Sequence, residues 1–579
     1  MRLPKYKRRP LRRGPPAGGR ATRSLARAML IMAAAAGPMQ AQRVHGPWED
    51  ATIAPRGVMR AGVGVHFGHW SERFARDAGS RESLGTDFTR DSLGSAILPG
   101  IGVLSGGLEA LVGPGTPLPL SLGPLRTRLE VTEVRVPVTL EYGLTSRVGL
   151  QAVIPYVKNH VHVSAAANPS GVGATLGLNP AWTFTGARQQ NEVVVTSLGS
   201  AAATLTSELQ RCLGSMDASC SAINANREGA ADLVTLANLT ADAVASVFGT
   251  STVSGSAYAP LAGGSLQQAV EARLGQMSED FTGFLGAAQS GEWIAARPVP
   301  APLLAAADLD LLLGDPTWGI AGRPLADFEH SHVGDIEVGA KLILLDTFGS
   351  GAVSPSLRGA GALRLAVAGI YRLPTGQLDL PWEFTDVGTG DRQADIEVRG
   401  FVDAALGSRL WTSAVLRYGI QRPDRLVRRI PDRVGDPFPE IAREHEVSRD
   451  LGDFVELEVA PRYVPNDAFA LSVLYRYRSK GKDTYAGAFD VTSTDGTPLS
   501  LDASVLGIGT AQTEQLLGLA LTLSTVRGYA LRQAMWPLEV SLVHTRVMSG
   551  RGGVASQAST GVVLRLYRPW FGGNPLRPS

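Results

Sequence analysis

Residues 133–142 read Glu-Val-Arg-Val-Pro-Val-Thr-Leu-Glu-Tyr. Every second side chain, from Val134 to Tyr142, is apolar, and most of the residues between them are charged or polar. Because successive side chains of a β-strand point to opposite faces, this alternation is typical of a strand with one apolar and one polar face. A strand of this length exceeds the usual 5–6 residues or so of globular proteins and matches the roughly 9–11 residues with which a tilted strand crosses a bilayer.

The same alternation recurs along the chain and predicts about twelve long strands. We place them near residues 57–70, 126–142, 147–164, 332–346, 360–373, 394–407, 410–421, 452–464, 468–480, 511–525, 535–548 and 557–568. Tight turns such as 145–146 and 407–409 alternate with long connections such as 71–125 and 165–331. Short periplasmic turns and long external loops are typical of outer-membrane barrels. The predicted fold is all-β and transmembrane, an antiparallel up-and-down barrel of about twelve strands with an α-helical loop insertion.

The polar faces of these strands are predicted to point into the lumen. The predicted lumen-lining residues are Glu133, Arg135, Glu141, Lys341, Arg364, Arg372, Asp395, Glu397, Arg399, Asp403, Glu456, Glu458, Arg462, Arg476 and Arg478. In a barrel of about twelve strands, such residues either fill the lumen with ion pairs or line a conduit that selects solutes. The sequence leaves both interpretations open. Pro155 and Pro461 interrupt two of the strands, which indicates a bulge, a strand end or a lateral opening.

The beginning of the chain has the composition of an export signal. Residues 1–41 contain ten basic and no acidic side chains, and an apolar run at 28–36 follows the basic region. This order predicts a signal peptide, with cleavage after Ala41 and a bacterial outer-membrane location for the barrel. Its removal leaves 45 basic against 53 acidic residues, a net charge of −8, which argues against nucleic-acid binding.

Between residues 165 and 331 the apolar period changes from two to about 3.6. That period predicts amphipathic helices at 196–213, 221–248 and 265–285, in an insertion on the extracellular side. Cys212 and Cys220 flank the first turn between helices, and an oxidising compartment favours a disulfide between them over two free thiols.

These patterns together divide the chain into six predicted parts. They are a signal peptide at 1–41, an N-terminal periplasmic segment at 42–56, the first part of the barrel at 57–164, the helical insertion at 165–331, the remainder of the barrel at 332–568 and a C-terminal tail at 569–579.

Four phrases of the sequence suggest a family. Leu-Glu-Tyr-Gly-Leu-Thr-Ser-Arg at 140–147 and Gln-Ala-Val-Ile-Pro-Tyr at 151–156 form one hairpin; Tyr-Arg-Leu-Pro-Thr-Gly at 371–376 precedes Gly-Thr-Gly-Asp at 388–391. They resemble the "YGLTdr…lPY" and "lPTG…GtG" stretches of outer-membrane proteins grouped with the meta-pathway phenol-degradation family, which are compared with FadL-like transporters. The resemblance implies an outer-membrane channel for small hydrophobic or aromatic compounds.

Two other functions remain open at this point. One is a structural or surface-interaction barrel whose helical insertion binds a partner. The other is an outer-membrane phospholipase, because His162 and Ser164 have the spacing of a base and a nucleophile on one strand face.

We predict that the protein is not an enzyme and uses neither a metal nor a cofactor. His160 with His162, and His330 with His332, are pairs without an evident third ligand. The predicted partners are outer-membrane lipid, lipopolysaccharide and a small hydrophobic or aromatic solute, with no nucleic acid. The sequence does not set the oligomeric state.

Overall fold

A computed structural model describes residues 47–76, 79–113, 117–168, 170–289, 291–348 and 361–570. The predicted signal peptide at 1–41 and most of the predicted tail at 569–579 lie outside the described residues and stay predictions.

Within the described residues, twelve antiparallel strands form a closed barrel. They are β1 (Val58–Trp70), β2 (Leu125–Gly143), β3 (Val148–Ala167), β4 (Ile336–Asp346), β5 (Leu363–Leu373), β6 (Asp395–Ala405), β7 (Leu410–Gln421), β8 (Phe454–Asn466), β9 (Phe469–Lys480), β10 (Gln512–Ser524), β11 (Leu538–Arg551) and β12 (Ala558–Pro569). Each strand pairs with the next along the chain, and β1 pairs with β12, so the sheet has no free edge. The predicted fold and strand order are confirmed.

The outer surface of the barrel is apolar, as a lipid-facing surface must be. Leu140, Val398, Leu457 and Leu519 belong to a large set of solvent-exposed aliphatic side chains that covers the strands on all sides. Tyr371, Tyr418 and Tyr475 lie on the same surface towards the outer ends of their strands, and Tyr156 lies there near the middle of the longer strand β3; these four are here called the aromatic belt. A soluble monomer rarely exposes an apolar patch of this extent. The alternation that defines the strands therefore separates a lipid face from a lumen.

One strand departs from the regular alternation. The predicted strand at 332–346 is divided into a short outer strand, Phe328–Val333, and β4, and both pair with β3. Even-numbered residues such as His330 face inward before the division, whereas odd-numbered ones such as Lys341 face inward after it. The break falls at Gly334 and Asp335, where the Gly334 amide donates to the Pro155 carbonyl over 2.7 Å.

The outer connections carry most of the remaining structure. Helices α1 (Gly100–Val112), α2 (Thr185–Arg211), α3 (Arg227–Phe248), α4 (Ser265–Leu285) and α5 (Ala306–Gly314) pack into one apolar core with Leu122, Leu125 and Ala167 at the outer ends of β2 and β3. Short helices lie at Pro180–Thr183 and Ser221–Ala225 in the insertion, and at Val526–Ala530 in the inner turn between β10 and β11. Paired short strands lie at Glu72–Phe74 and Arg81–Ser83, at Leu176–Leu178 and Tyr258–Pro260, and at Ala488–Thr492 and Pro498–Asp502, while Asp424–Arg429, Glu444–Asp450 and Thr484–Ala486 form a three-stranded sheet.

The insertion differs in detail from the helices predicted at 196–213, 221–248 and 265–285. Helix α2 begins eleven residues earlier, at Thr185, and the second predicted helix is divided at Asn226, whose side chain caps the start of α3. By length and composition alone, helix α3 could cross a membrane, but it packs against α1 and α2 in the insertion. Cys212 and Cys220 form a disulfide after α2.

Candidate functional site: the barrel lumen

The fifteen predicted lumen residues all lie on the inward face of their strands. Lys341, Arg364, Asp395, Glu397, Arg399, Asp403, Glu456, Glu458 and Arg462 are buried, Glu133, Glu141, Arg372, Arg476 and Arg478 are partly buried, and Arg135 is exposed to solvent inside the lumen. Most of the buried ones lie on consecutive strands from β4 to β8. One half of the wall is therefore densely charged.

Ion pairs connect the outer part of this charged wall. Arg399 contacts Glu397 at 2.6 Å and Glu337 at 2.9 Å, and Arg372 contacts Glu337 at 2.9 Å. Arg417 pairs with Glu456 and lies 3.0 Å from Glu458. Such desolvated groups are stable only when each charge is compensated, and here each has at least one partner of opposite sign.

Several members of this network are absent from the predicted set. Glu337 and Arg417 occupy inward positions, and so do Glu514 on β10, which lies 2.6 Å from Arg476, and Glu539 on β11. Their strand parity marks them as inward-facing, so the same period-two rule that found the others was sufficient to find them.

The lumen also contains part of the chain that precedes the barrel. Residues 47–57, here called the plug segment, turn inward at the rim where the Gly57 amide donates to the Gly143 carbonyl over 2.8 Å. Glu49 lies 2.6 Å from Arg399 and 3.5 Å from Arg417. The Ala51 amide donates to both carboxylate oxygens of Asp403 over 3.2 Å.

The plug segment extends across the lumen from one wall to the other. The Pro47 carbonyl accepts a 3.0 Å hydrogen bond from Arg565 on β12, while Glu49 contacts β6, which is diametrically opposite in a ring of twelve strands. Twelve strands about 4.8 Å apart and tilted by about 40° give a backbone diameter of about 24 Å. Arg565 and Arg399 reach in from opposite walls, and plug residues 47–49 between them fill that width.

An aromatic anchor holds the plug segment to a third part of the wall. Trp48 packs against Leu474 and Leu516, in a cluster formed by β8, β9, β10 and β11. A Cβ atom at Gly518 would come within 3.1 Å of the Trp48 ring, so glycine permits this close approach. Charged contacts on one side and an apolar contact on the other fix the segment in place.

This position differs from the predicted N-terminal periplasmic segment at 42–56. Its described part, 47–56, lies inside the barrel, because Glu49 and Asp50 supply negative charge to a wall rich in Arg and Lys. The Asp50 carboxylate lies 4.0 Å from the Arg462 guanidinium, and the Lys341 ammonium donates to the Asp50 backbone carbonyl over 2.9 Å.

The remaining wall of the lumen is different in character. From β11 through β12 and β1 to β2, its middle section presents Val543, Val563, Gly64, Pro137 and Thr139 inward, with Arg565 of β12 as a charged neighbour. A cavity of about 140 Å³ lies between this wall and the plug segment, where Pro47, Trp48, His66 and Arg565 complete its lining. The lumen therefore combines a charged half with a small cavity that is mainly apolar.

The Pro-Thr-Gly and Gly-Thr-Gly-Asp phrases meet at the break between the outer strand and β4. They belong to residues 374–394, here called the rim loop, whose Gly376 and Asp391 amides donate to the Asp335 carboxylate over 2.7 and 3.0 Å. A Cβ atom at Gly390 would lie 2.3 Å from an Asp335 oxygen, which explains the glycine. Asn159 on β3 donates to the Val387 and Gly388 carbonyls, so the rim loop covers the break.

A groove of about 430 Å³ lies between the outer loops above β10 and β11. Arg73, Asp87, Val434, Asp436 and Ile508 are among its lining residues. Burial would raise the pKa of Asp87, but the hydrogen bonds to Arg73 and the positive charges of Arg73, Arg76 and Arg90 together outweigh burial and hold the pKa below its usual value. Burial raises the pKa of Asp436, so the two carboxyl groups of the groove differ in acidity.

The possible lipase pair lies outside the barrel. His162 and Ser164 face outward, and His162 Nδ1 is 2.9 Å from Asp327. Ser164 is eight residues beyond Tyr156 on β3, which places it about 20 Å above the aromatic belt for a strand rising about 3.3 Å per residue at a tilt of about 40°. Acyl ester bonds of the bilayer do not reach that height.

The two histidine pairs are not brought together. His160 and His162 face outward, whereas His330 and His332 face inward on the neighbouring strand. In the part of the chain that the structure describes, no three His, Cys, Asp or Glu side chains are placed to hold one metal ion.

Comparison with known proteins gives only structural similarities. No protein-family model matches the sequence, and a search of curated proteins found no significant match. The similar solved structures include outer-membrane channels. An outer-membrane channel of Pseudomonas putida F1 is 8% identical over 91% of this chain and 100% of its own, with a TM-score of 0.38.

Two further structures are similar at lower scores. The toluene transporter TodX of Pseudomonas putida is 9% identical over 90% of both chains, with a TM-score of 0.24. A FadL homologue of Pseudomonas aeruginosa is 8% identical over 89% of this chain and 90% of its own, with a TM-score of 0.26. With scores this low, the assignment to an outer-membrane barrel depends on the closed sheet and apolar belt of the chain itself.

Proposed function

We propose that the protein is an outer-membrane channel for small hydrophobic or aromatic compounds. The observation that carries the proposal is the lumen cavity of about 140 Å³ beside Trp48, Val543 and Val563. An engineered apolar protein cavity of about 150 Å³ takes up benzene, so a single aromatic ring fits a space of this size. Outer-membrane lipid would surround the apolar belt, and lipopolysaccharide would surround the outer strand ends.

The plug segment sets how such a channel conducts. Because it crosses the lumen from β12 to β6, ions and hydrophilic solutes meet the charged contacts of Glu49 and Asp50. A solute without charge instead meets the mainly apolar wall around Gly64 and Pro137. This arrangement supports passage of apolar compounds along one side of the plug segment, with little conductance for ions.

Binding of a monocyclic aromatic compound to the detergent-solubilised protein tests the proposal. Val543→Trp fills the cavity, and Val367→Trp, on the lipid face of β5, is the matched control. We expect saturable binding to the wild type and to the control, and at least tenfold weaker binding to Val543→Trp. Equal binding to all three proteins would contradict the proposed site, provided that heat-modifiable gel mobility shows all three folded.

The second candidate, a surface-interaction barrel, is favoured by one observation on the insertion. A groove of about 840 Å³ runs between α2 and residues 285–293, with Val193 and Trp293 among its lining side chains. Planar-bilayer recordings of the protein with and without residues 165–331 separate the candidates. If neither form conducts ions, even after release of the plug segment, the surface-interaction role is favoured.

A further inference from the structure

Three carboxylates lie close together under the rim loop. Asp335 and Asp391 are within hydrogen-bonding reach of each other, and Asp395, at the start of β6, interacts electrostatically with both. The Asp335 oxygens also accept the Gly376 and Asp391 amides, which draws the rim loop onto the strand break. Two ionised carboxylates at this distance repel each other unless a proton or a cation lies between them.

Buried polar atoms without hydrogen-bond partners surround the same carboxylates. Gln421 is 6% exposed; its Nε2 donates to Asp391 Oδ2 over 3.3 Å, and its Oε1 has no partner among the described residues. Asp395 on β6 pairs directly with Gln421 in the sheet, and its Oδ1 also has no hydrogen-bond partner among the described residues. Gln393, 1% exposed, leaves both side-chain atoms unsatisfied. Buried polar groups are almost always partnered, so these atoms point to water or a bound ion at this position.

The neighbouring arginines do not neutralise Asp335 and Asp391. Arg372 lies 2.8 Å from Asp395 but also 2.9 Å from Glu337. Arg449 pairs with Asp424 at 2.7 Å and reaches only the backbone carbonyl of Asp391. Within the described ranges, neither Asp335 nor Asp391 has an ion pair with a Lys or Arg side chain. Burial, together with the charge of Asp391, raises the pKa of Asp335.

We propose that Asp335, Asp391 and Gln421 bind a calcium ion at the outer rim of the barrel. Carboxylate and amide oxygens are the ligands that Ca²⁺ prefers, and water completes such sites readily. Turning the Gln421 amide by 180° brings Oε1 instead of Nε2 towards Asp391 and makes it a ligand. Among the described residues, no three acidic or imidazole side chains are placed to hold one metal ion directly. Asp395 therefore contacts the calcium ion through a water molecule and not directly. The ion joins the strand break to the rim loop and holds the barrel wall closed there.

Calorimetric titration of calcium chloride into the metal-free full-length protein in detergent tests this site. We expect one binding event with a Kd of about 0.1–1 mM, the range of extracellular calcium modules. Exposed Arg392 lies in the rim loop, so calcium is also expected to slow tryptic cleavage there at least fivefold.

Two variants and one control identify the site. Asp391→Asn and Gln421→Met each remove a ligand oxygen and should weaken calcium binding at least tenfold. Asp379→Asn, in the same loop but paired with Arg428 at 2.7 Å, should bind as the wild type does. Equal affinity in all four proteins would place the ion elsewhere and overturn the proposal. Absence of binding up to 10 mM, expected if Asp335 and Asp391 share a proton, would also overturn it.

Discussion

Releasing the plug segment should convert a poorly conducting barrel into an open pore. The double change Glu49→Ala and Trp48→Ala removes the contacts to Arg399 and to the cluster around Leu474. The arginines that lose Glu49 keep Glu397, Glu337, Glu456 and Glu458 as partners, so the wall itself remains compensated.

The size of the effect follows from the contacts removed. A hydrogen bond between charged groups contributes about 1.5–3 kcal/mol, and truncating a fully buried Trp costs about 3–5 kcal/mol. Because Trp48 is only partly buried, we assign it about 2 kcal/mol, which gives a total of about 4 kcal/mol. Each 1.4 kcal/mol or so is a tenfold change, so the equilibrium for release shifts by about a thousandfold.

Single-channel recording in planar bilayers measures this shift. We expect rare, small openings for the wild type and long, large ones for the variant, since the barrel is about 24 Å across at the backbone. Glu109→Ala with Trp536→Ala removes the same side-chain types at exposed positions outside the lumen and should leave the currents unchanged. Identical currents from the variant and the wild type would refute the view that residues 47–57 obstruct the lumen.

Three further outcomes follow from the fold. Leu519→Arg places a charge on the exposed lipid face of β10 and should lower the free energy of unfolding in lipid vesicles by about 2–4 kcal/mol, measured by urea titration; no loss would contradict that orientation. Cys212→Ser should speed proteolysis of the insertion while leaving heat-modifiable mobility intact, because loss of the disulfide raises the entropy of the unfolded chain and costs about 2.5 kcal/mol for so short a loop. Equal proteolysis rates would contradict this. Gly390→Ala should expose the rim loop to trypsin because its Cβ meets Asp335, whereas Gly400→Ala, with open space around it, should behave as the wild type; equal digestion of both would count against the packed loop.

The barrel could be predicted because the alternation of apolar and polar side chains that defines each strand is a local pattern. Each strand carries its lipid face and its lumen face within ten or so residues, and the alternation from Val134 to Tyr142 is enough to place both. The same parity extended to Glu337 and Arg417 would have completed the charged network. The break at Gly334 was not visible, because a change of phase between two short stretches looks like noise in a single strand.

The plug segment and α1 could not be predicted because their partners are distant in sequence. Asp50 and Lys341 are 291 residues apart, and their contact exists only when the barrel is closed. Helix α1 contains four glycines, which lower helix propensity, but a Cβ at Gly107 would lie 2.8 Å from Val247 of α3. Close helix packing, rather than local preference, explains that sequence.

The most direct test of the channel is the rate at which intact cells take up a hydrophobic aromatic fluorophore through a lipopolysaccharide-rich outer membrane. Cells that produce the wild-type protein should take it up faster than cells without it, and Val543→Trp should remove most of the increase. Val367→Trp should keep the full increase, because it leaves the lumen unchanged. Uptake by wild-type cells at the rate of cells that lack the protein would contradict the proposed channel.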